Sequence, residues 1–480
     1  MVAPLHDSGA ARPADASEAD PNAMVDPPTP PSPQLKFPWN YLHVVSQFLI
    51  LLALLPYHAT LFSVFPSKRP RPTWTLLEAV FQPAVKRYLA MIDTAGFKIS
   101  ARDIESEPGP IRCYMSGCRF EWFESQVDKD LVTGEIDDPW MGMRDRIAVF
   151  SWYRRRKSEN VERTREGFDE AERRGDLVGL FFHGGAFTHN SAHPKSQSTG
   201  SSPIVGLFPR KARPTHLAAF ARTVMPMTLF EREKRFVSMH SVEFRLLPDS
   251  PYPAALQDAV SAFVHLLKRG VPAHHIVLIG DSSGANLALA LARWIRDTRS
   301  AATGGERTCV RDGKETKWKL EDPAGLVLFS PWVDPSHSFL NCKPGDYVRR
   351  DNSCDYILEE GPFRHHLVHN LLGRHPRNLV LSPYLSPGRV GVPPGTFIDF
   401  PPCYVAYGTG ERGQAEDERL IGYLERDGVE CDVVRRDDTP HDVLLLGFWG
   451  KDHREAMWQG ALKFLNKIPN DDQAPHSMAV

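Results

Sequence analysis

Net charge is almost absent from this chain: 57 Lys and Arg stand against 59 Asp and Glu over 480 residues, a balance of −2. That removes the electrostatic footprint of a nucleic-acid binder, so no nucleic-acid partner is expected. Cysteine is sparse and odd in number, seven residues at 113, 118, 309, 342, 354, 403 and 431, with no CxxC followed by a second CxxC or an HxxxH. Such spacing offers neither a zinc site nor a disulfide framework, and Cys113 and Cys118 read as two thiols in a strand region. Asn-x-Ser/Thr acceptors are missing too, which together with the odd thiol count points to a reducing location, cytoplasmic or on a cytoplasm-facing membrane. No internal repeat occurs. Charge is wholly missing from residues 37–67.

That uncharged window centres on the run Phe48-Leu-Ile-Leu-Leu-Ala-Leu-Leu55, with Trp39 and Tyr41 at one edge and Lys68, Arg69 and Arg71 just past the other. It exceeds the roughly 20 apolar residues of a membrane span, although Ser46, Gln47, Pro56 and His58 interrupt it. Two readings stand side by side for residues 37–72: a membrane anchor, with the basic cluster placing the large domain in the cytoplasm, or the first helix of a cap over an active site. A cleaved signal peptide is disfavoured, because the run begins far from the first residue and follows an acidic, Pro-rich stretch ending PPTPPSPQLK. Residues 1–36 read as a disordered tail, and 469–480 as a flexible one.

What remains, 73–468, is ample for one large domain, with 42% hydrophobic and 24% charged residues in the whole chain. Alternating runs at 118–124 and 147–152 predict an antiparallel sheet edge. Thereafter strand candidates at Leu177–Phe182, Phe236–Phe244, Ile276–Ile279, Gly325–Phe329, Cys403–Tyr407 and Cys431–Val434 alternate with helices. The helices are Pro253–Lys268, Ser283–Arg296, Ala415–Arg426 and His453–Asn466, with Leu76–Met91 upstream. This alternation predicts an α/β fold, a mostly parallel sheet with helices on both faces. Residues 299–322, polar and Gly-containing, read as an exposed insertion loop, and the Pro-rich block 335–400 as a helical lid.

One motif carries chemistry. In IVLIGDSSGANLALALARW, residues 276–294, GxSxG sits between a buried strand and a helix, with Ser282 at its centre. Glycines two before and two after the serine suit a strained strand-to-helix turn, where neighbouring backbones leave no room for a Cβ. A bare GxSxG arises by chance roughly 0.1–0.2 times in a chain this long, so its context decides. A second motif, His183-Gly184-Gly185-Ala186-Phe187, follows an earlier strand. Amides of such a loop can approach an oxyanion unobstructed, which suits Gly184 and Gly185, with the Ser283 amide at a helix N-terminus as a further donor. A serine nucleophile needs a base. His441 lies in a short polar loop after the last strand candidate, and an orienting acid should come from the loop after the preceding strand. Glu411, nearest that strand's end, is preferred. Glu416 and Asp417 remain open as alternatives, although they suit the first turn of the next helix.

Taken together, HGGAF, GDSSGAN and the run Val242-Glu-Phe-Arg245-Leu-Leu-Pro248-Asp-Ser-Pro251-Tyr-Pro253-Ala-Ala-Leu-Gln-Asp258 resemble hormone-sensitive-lipase-like α/β-hydrolases over about residues 175–465. The resemblance implies an α/β-hydrolase fold with a helical cap or lid, Ser282 as nucleophile, His441 as base and Gly184 and Gly185 in the oxyanion hole, where His183 belongs to the same motif. Three positions depart from the family pattern. Ala186 stands for the third glycine of HGGG, Ser283 for an alanine, and the usual GxxDxLxDE around the acid is replaced.

The expected activity is serine carboxylic-ester hydrolysis of a hydrophobic acyl ester through Ser282, His441 and Glu411, with neither metal nor organic cofactor. Two other readings of the same fold are a non-catalytic ligand-binding protein and an acyltransferase or amidase using the same residues.

Overall fold

The computed structural model describes residues 36–97, 102–109, 118–125, 127–154, 177–194, 196, 225–300, 305–311, 313–338, 355–357 and 362–469. Apart from Lys36 and Pro469, the expected terminal tails lie outside the described residues. Ten strands occur among the described residues, in chain order: β1 (Cys118–Glu124), β2 (Arg146–Tyr153), β3 (Leu177–Phe182), β4 (Phe236–Glu243), β5 (Ile276–Asp281), β6 (Arg307–Arg311), β7 (Lys314–Trp318), β8 (Gly325–Phe329), β9 (Cys403–Gly408) and β10 (Cys431–Arg436). Eight of them form one sheet, ordered β1-β2-β4-β3-β5-β8-β9-β10. β1, β2 and β4 pair antiparallel, and every later pairing is parallel. This is the mostly parallel α/β-hydrolase sheet with an antiparallel opening edge that the apolar pattern predicted.

β3, β5, β8 and β9 are almost wholly apolar because both faces are covered. Val178, Leu180 and Phe182 of β3 and Ile276 and Leu278 of β5 face one core. Leu177, Phe181, Val277 and Ile279 alternate into the other. The first core is closed by helices α4 (Ala254–Lys268), α5 (Ser283–Ser300) and α7 (Gln414–Arg426), the second by α3 (Met225–Arg232) and α8 (Lys451–Leu465). β10, at the sheet's edge, buries none of its residues fully.

Two further helices, α1 (Trp39–Val64) and α2 (Leu76–Ala95), run antiparallel: Tyr41 meets Phe97 past the end of α2, and Arg87 donates to Gln47 at 2.8 Å. A capping box starts α2, in which Thr75 and Glu78 exchange side-chain to backbone hydrogen bonds, and the other Glu78 oxygen accepts from Gly450 N. The start of α2 is tied to the loop after β10, where Trp74 Nε1 donates to the Asp438 carbonyl at 2.9 Å. Its end is tied to the loop after β3, where Asp93 lies 3.3 Å from His189 Nε2. The pair thus reaches across the carboxyl edge of the sheet. Helix α6 (Pro362–Leu372), within the block read as a lid, packs on the run after β4, accepting the Tyr252 N–H at the Leu371 carbonyl.

One segment differs from expectation. Where the sequence reading placed an exposed loop over 299–322, α5 continues to Ser300 and β6 and β7 form an antiparallel hairpin. Polar composition concealed it, although the sequence pair Asp-Gly at 312–313 and the alternation of residues 314–318 are hairpin signals. The hairpin docks through Trp318, which is 5% exposed and covered by Lys268 at 5.3 Å.

The run that carries the family resemblance is built around one buried ion pair. Arg245 holds Asp258 through Nε at 3.0 Å and Nη2 at 3.0 Å, and donates to the carbonyls of Gly142 and Ala254 and to Gln257 Oε1. Asp258 is fully buried, so removing it strands a guanidinium inside the protein. Asp258→Ala is expected to lower stability by about 3–5 kcal/mol, read by chemical denaturation. A loss below about 1 kcal/mol would show that the pair is not held as described.

Candidate active site

The elbow after β5 begins the site. Ser282 has φ +51, a left-handed conformation that a non-glycine residue keeps only when its surroundings force it. Its N–H donates to the Phe329 carbonyl of β8 at 2.9 Å, and its carbonyl accepts from Trp332 N at 3.0 Å. Gly284 explains the second motif glycine: a Cβ there would lie 2.1 Å from the Phe182 carbonyl oxygen. Strand, turn and helix can approach β3 this closely only without that carbon.

His441 reaches the elbow from the loop after β10. Its Nε2 lies 2.8 Å from Ser282 Oγ and its Nδ1 3.0 Å from Glu411 Oε2. Glu411, from the turn after β9, is fully buried, and its other oxygen accepts from Ser330 Oγ at 2.7 Å and from Gly408 N. Ser330 in turn accepts the Asp442 N–H at 3.1 Å, so one hydroxyl links both loops. Glu416 and Asp417 lie in the first turn of α7, away from the imidazole.

The glycine loop after β3 lies against the elbow, where a Cβ on Gly184 would come 3.0 Å from Ser282 Cβ. Gly185, at φ +119, is crowded by the His189 carbonyl, which would sit 2.6 Å from a Cβ. Ala186 and Phe187 follow at φ +53 and +56. Ser283, where the family pattern has alanine, accepts the Phe187 N–H on its hydroxyl at 3.2 Å and so pins this loop to the elbow. His183 is buried, stacked on Phe244 at 4.3 Å, with Nδ1 against the Gly184 carbonyl at 2.8 Å. Burial pulls its imidazole down to about 4, which keeps it neutral and structural.

Sequence reasoning missed four polar residues around His441. Asp355, in the block read as a lid, accepts backbone N–H groups of His441 at 3.2 Å, Arg412 at 2.9 Å and Tyr356 at 2.8 Å. Tyr356 packs edge-on against the His441 ring at 6.0 Å. Asp442 lies with Oδ2 3.4 Å from His441 Nε2. Ser330 is the fourth. No periodicity or spacing marks Asp355, Tyr356 or Ser330; adjacency to His441 was the one available signal for Asp442.

These carboxyls set the electrostatics. Burial pushes Asp281 up to about 7 and Asp355 up to about 6, and it drives Asp442 well above the usual range. For His441 burial acts downward, but Asp442, Glu411 and Asp355 outweigh it and carry the imidazole up to about 10. The cluster cannot ionise completely while the imidazole stays neutral, so protons are shared between His441 and its acidic neighbours. Near the glycine loop a small, mainly apolar pocket is lined by Phe187, Leu247, Tyr252, Asn286, Leu371 and Leu385 among others.

With this geometry established, comparison with known proteins gives the class. A family profile described as alpha/beta hydrolase fold matches residues 235–445. An acetyl-hydrolase of Streptomyces hygroscopicus is 29% identical over 171 residues, 36% of this chain and 46% of that protein. A gibberellin receptor of Arabidopsis thaliana is 32% identical over 122 residues, 24% of this chain and 28% of that one. A solved esterase of Pyrobaculum calidifontis superposes with a TM-score of 0.47 at 17% identity, covering 74% of this chain and 86% of that one. The chain spans less than half the length of these two curated relatives. The fold is that of the α/β-hydrolases, and residues 235–445 are similar to that family.

A neutral imidazole alone can take a proton from Ser282. Because acidic neighbours raise His441, labelling of Ser282 by a fluorophosphonate is expected to speed up with pH through a limb clearly above 6.5, the ordinary histidine value. A limb at or below 6.5 would contradict the electrostatics described here.

Proposed function

We propose that the protein is a serine carboxylic-ester hydrolase. Ser282 Oγ attacks the ester carbonyl while His441 Nε2 takes its proton, and Glu411 holds the Nδ1–H and stabilises the imidazolium that forms. The oxyanion is met by backbone amides of the Gly184-Gly185 loop and of Ser283, the last at the N-terminus of α5 where the helix dipole adds to the donor. His441 then returns the proton to the leaving alkoxide, and water releases the acyl group by the same steps reversed. The observation that carries the reading is the unbroken hydrogen-bonded run Ser282, His441, Glu411, at 2.8 Å and 3.0 Å. The mainly apolar pocket near the glycine loop suits a hydrophobic portion of the ester.

Ser282→Ala is expected to abolish turnover of short aryl esters while the melting temperature stays unchanged; undiminished turnover would overturn the assignment. Glu411→Gln is expected to cut kcat by about 10²–10⁴-fold, since it removes the charge opposite the imidazolium. A ligand-binding protein on this fold would leave Ser282 unlabelled by a fluorophosphonate, which separates that reading from catalysis.

The reading includes a membrane. Helix α1 has 26 residues, its most apolar window has mean hydropathy 1.7, and 6% of that window is buried. Leu51 and Phe62 are its buried residues. Trp39, Leu42, Val45, Leu49 and Leu52 are exposed, an apolar surface that a lipid phase covers at least cost. Full-length protein is expected to float with phosphatidylcholine vesicles in high salt, and Leu49→Glu with Leu52→Glu to leave it in solution. Wild-type protein that stays behind in the soluble fraction would remove the membrane from this proposal.

A further inference from the structure

One carboxyl oxygen of the site is left over. Asp442 takes φ +44, and its N–H is fixed on Ser330 Oγ, which turns the side chain back beside His441. Asp442 Oδ2 lies 3.4 Å from His441 Nε2, the same nitrogen that meets Ser282 Oγ at 2.8 Å. The other oxygen, Oδ1, has no hydrogen-bond partner among the described residues, although the residue is only 5% exposed. Its acidic neighbours are occupied: Glu411 by His441, Ser330 and Gly408, and Asp355 by three backbone N–H groups. The ionisable groups that face Asp442 are His441, Asp281, Glu411, Asp355 and Tyr356, and His441 is the one cation-forming group among them. A buried carboxyl with a free oxygen is costly to keep unless something pairs with it.

The proposed reaction says what stands next to it. To protonate the leaving alkoxide, His441 Nε2 must come within about 3 Å of the ester's alcohol oxygen. Asp442, close to that same nitrogen, therefore borders the alcohol half of the substrate rather than the acyl half. A donor on the carbon next to the esterified one lies a hydrogen bond's length from the alkoxy oxygen, on the side of His441 Nε2 that Asp442 borders. We infer that Asp442 is a substrate-binding carboxyl, selecting esters whose alcohol half carries a hydroxyl or a protonated amine one carbon from the esterified position. This rests on the hydrolase reading above. It goes further in assigning a polar, donor-bearing alcohol to an enzyme whose nearby pocket is mainly apolar. Monoesters of vicinal diols and esters of amino alcohols are the two sources of that chemistry.

The test compares kcat/KM for three butyrates: 2-hydroxyethyl, 2-(dimethylamino)ethyl and propyl, the last replacing the donor by a methyl group. Wild-type protein is expected to favour at least one donor-bearing ester over propyl by about 10-fold or more. A lead of the ammonium ester over the hydroxyl one would assign the amino-alcohol class, and the reverse the diol class. In Asp442→Gly, whose backbone tolerates the left-handed conformation, the donor-to-propyl ratio is expected to fall about 10-fold. A distortion of the site would slow all three esters alike and leave the ratio in place. Asp442→Asn, which keeps the shape without the charge, is expected to lose any ammonium preference and serves if the glycine variant does not fold. Equal rates for the three esters in wild-type protein, or a ratio that survives in Asp442→Gly, would overturn the inference while aryl butyrate turnover and labelled Ser282 left the hydrolase reading standing. Absence of both turnover and label would remove the hydrolase reading, and this inference with it.

Discussion

The left-handed backbone of Ser282 is the constraint on which the site depends. A side chain at φ +51 points out of the carboxyl end of β5 instead of into either core, and it stays there because β8 takes the Ser282 N–H and the glycines let β3 close in. The polar groups of the site are then arranged around one largely buried hydroxyl. The loops after β3, β9 and β10 converge on it because parallel strands present all their carboxyl ends at the same edge. Ser330, directly after β8, joins the Glu411 side to the Asp442 side through one hydroxyl.

Around that hydroxyl the protein concentrates buried acid. Asp281, Asp355 and Asp442 lie buried beside the His441 imidazole, and desolvation by itself works against their charge. Backbone amides hold part of it, as at Asp355, and His441 holds another part by binding protons more tightly than a free histidine. His441 thus holds its proton further toward alkaline pH because of the groups that orient it. Removing any one carboxyl changes both the geometry and the proton affinity of His441, so the effects of such changes are not independent.

The helical pair α1 and α2 links this chemistry to the molecule's most apolar surface. α2 is anchored at one end near His441 through Asp438 and Gly450, and at the other near the glycine loop through His189. α1 lies along it with its outer side uncovered. The two early readings of residues 37–67, cap helix and membrane segment, therefore do not exclude one another: one side of the helix packs on α2, and the other is free to meet lipid.

Much of this was legible in the residues. Buried parallel strands are continuous apolar runs, amphipathic helices follow a period of 3.6, and the elbow needs glycines at fixed offsets, so each announces itself over a few consecutive positions. Ser282, the HGGAF loop and His441 were readable for that reason, and so were the six strands from Leu177 onward. The hairpin at 307–318 was not, because its residues are polar and its anchors, Trp318 on Lys268 and Arg307 on Asp128 and Asp130, gain meaning only against distant parts of the chain. Nor could local pattern separate Glu411 from Glu416 and Asp417: all three are acids in one short stretch, and only the turn after β9, closed on Gly408 and Ser330, aims one of them at the imidazole. Asp355 comes from a different part of the chain and Asp442 acts through a left-handed residue, features that no spacing encodes. The sequence by itself determined the elements and the glycine-flanked elbow that carries Ser282, because hydrophobic period and glycine placement act over a few residues. Tertiary structure alone decided which carboxyls surround His441, because that depends on where distant loops come to rest against one another.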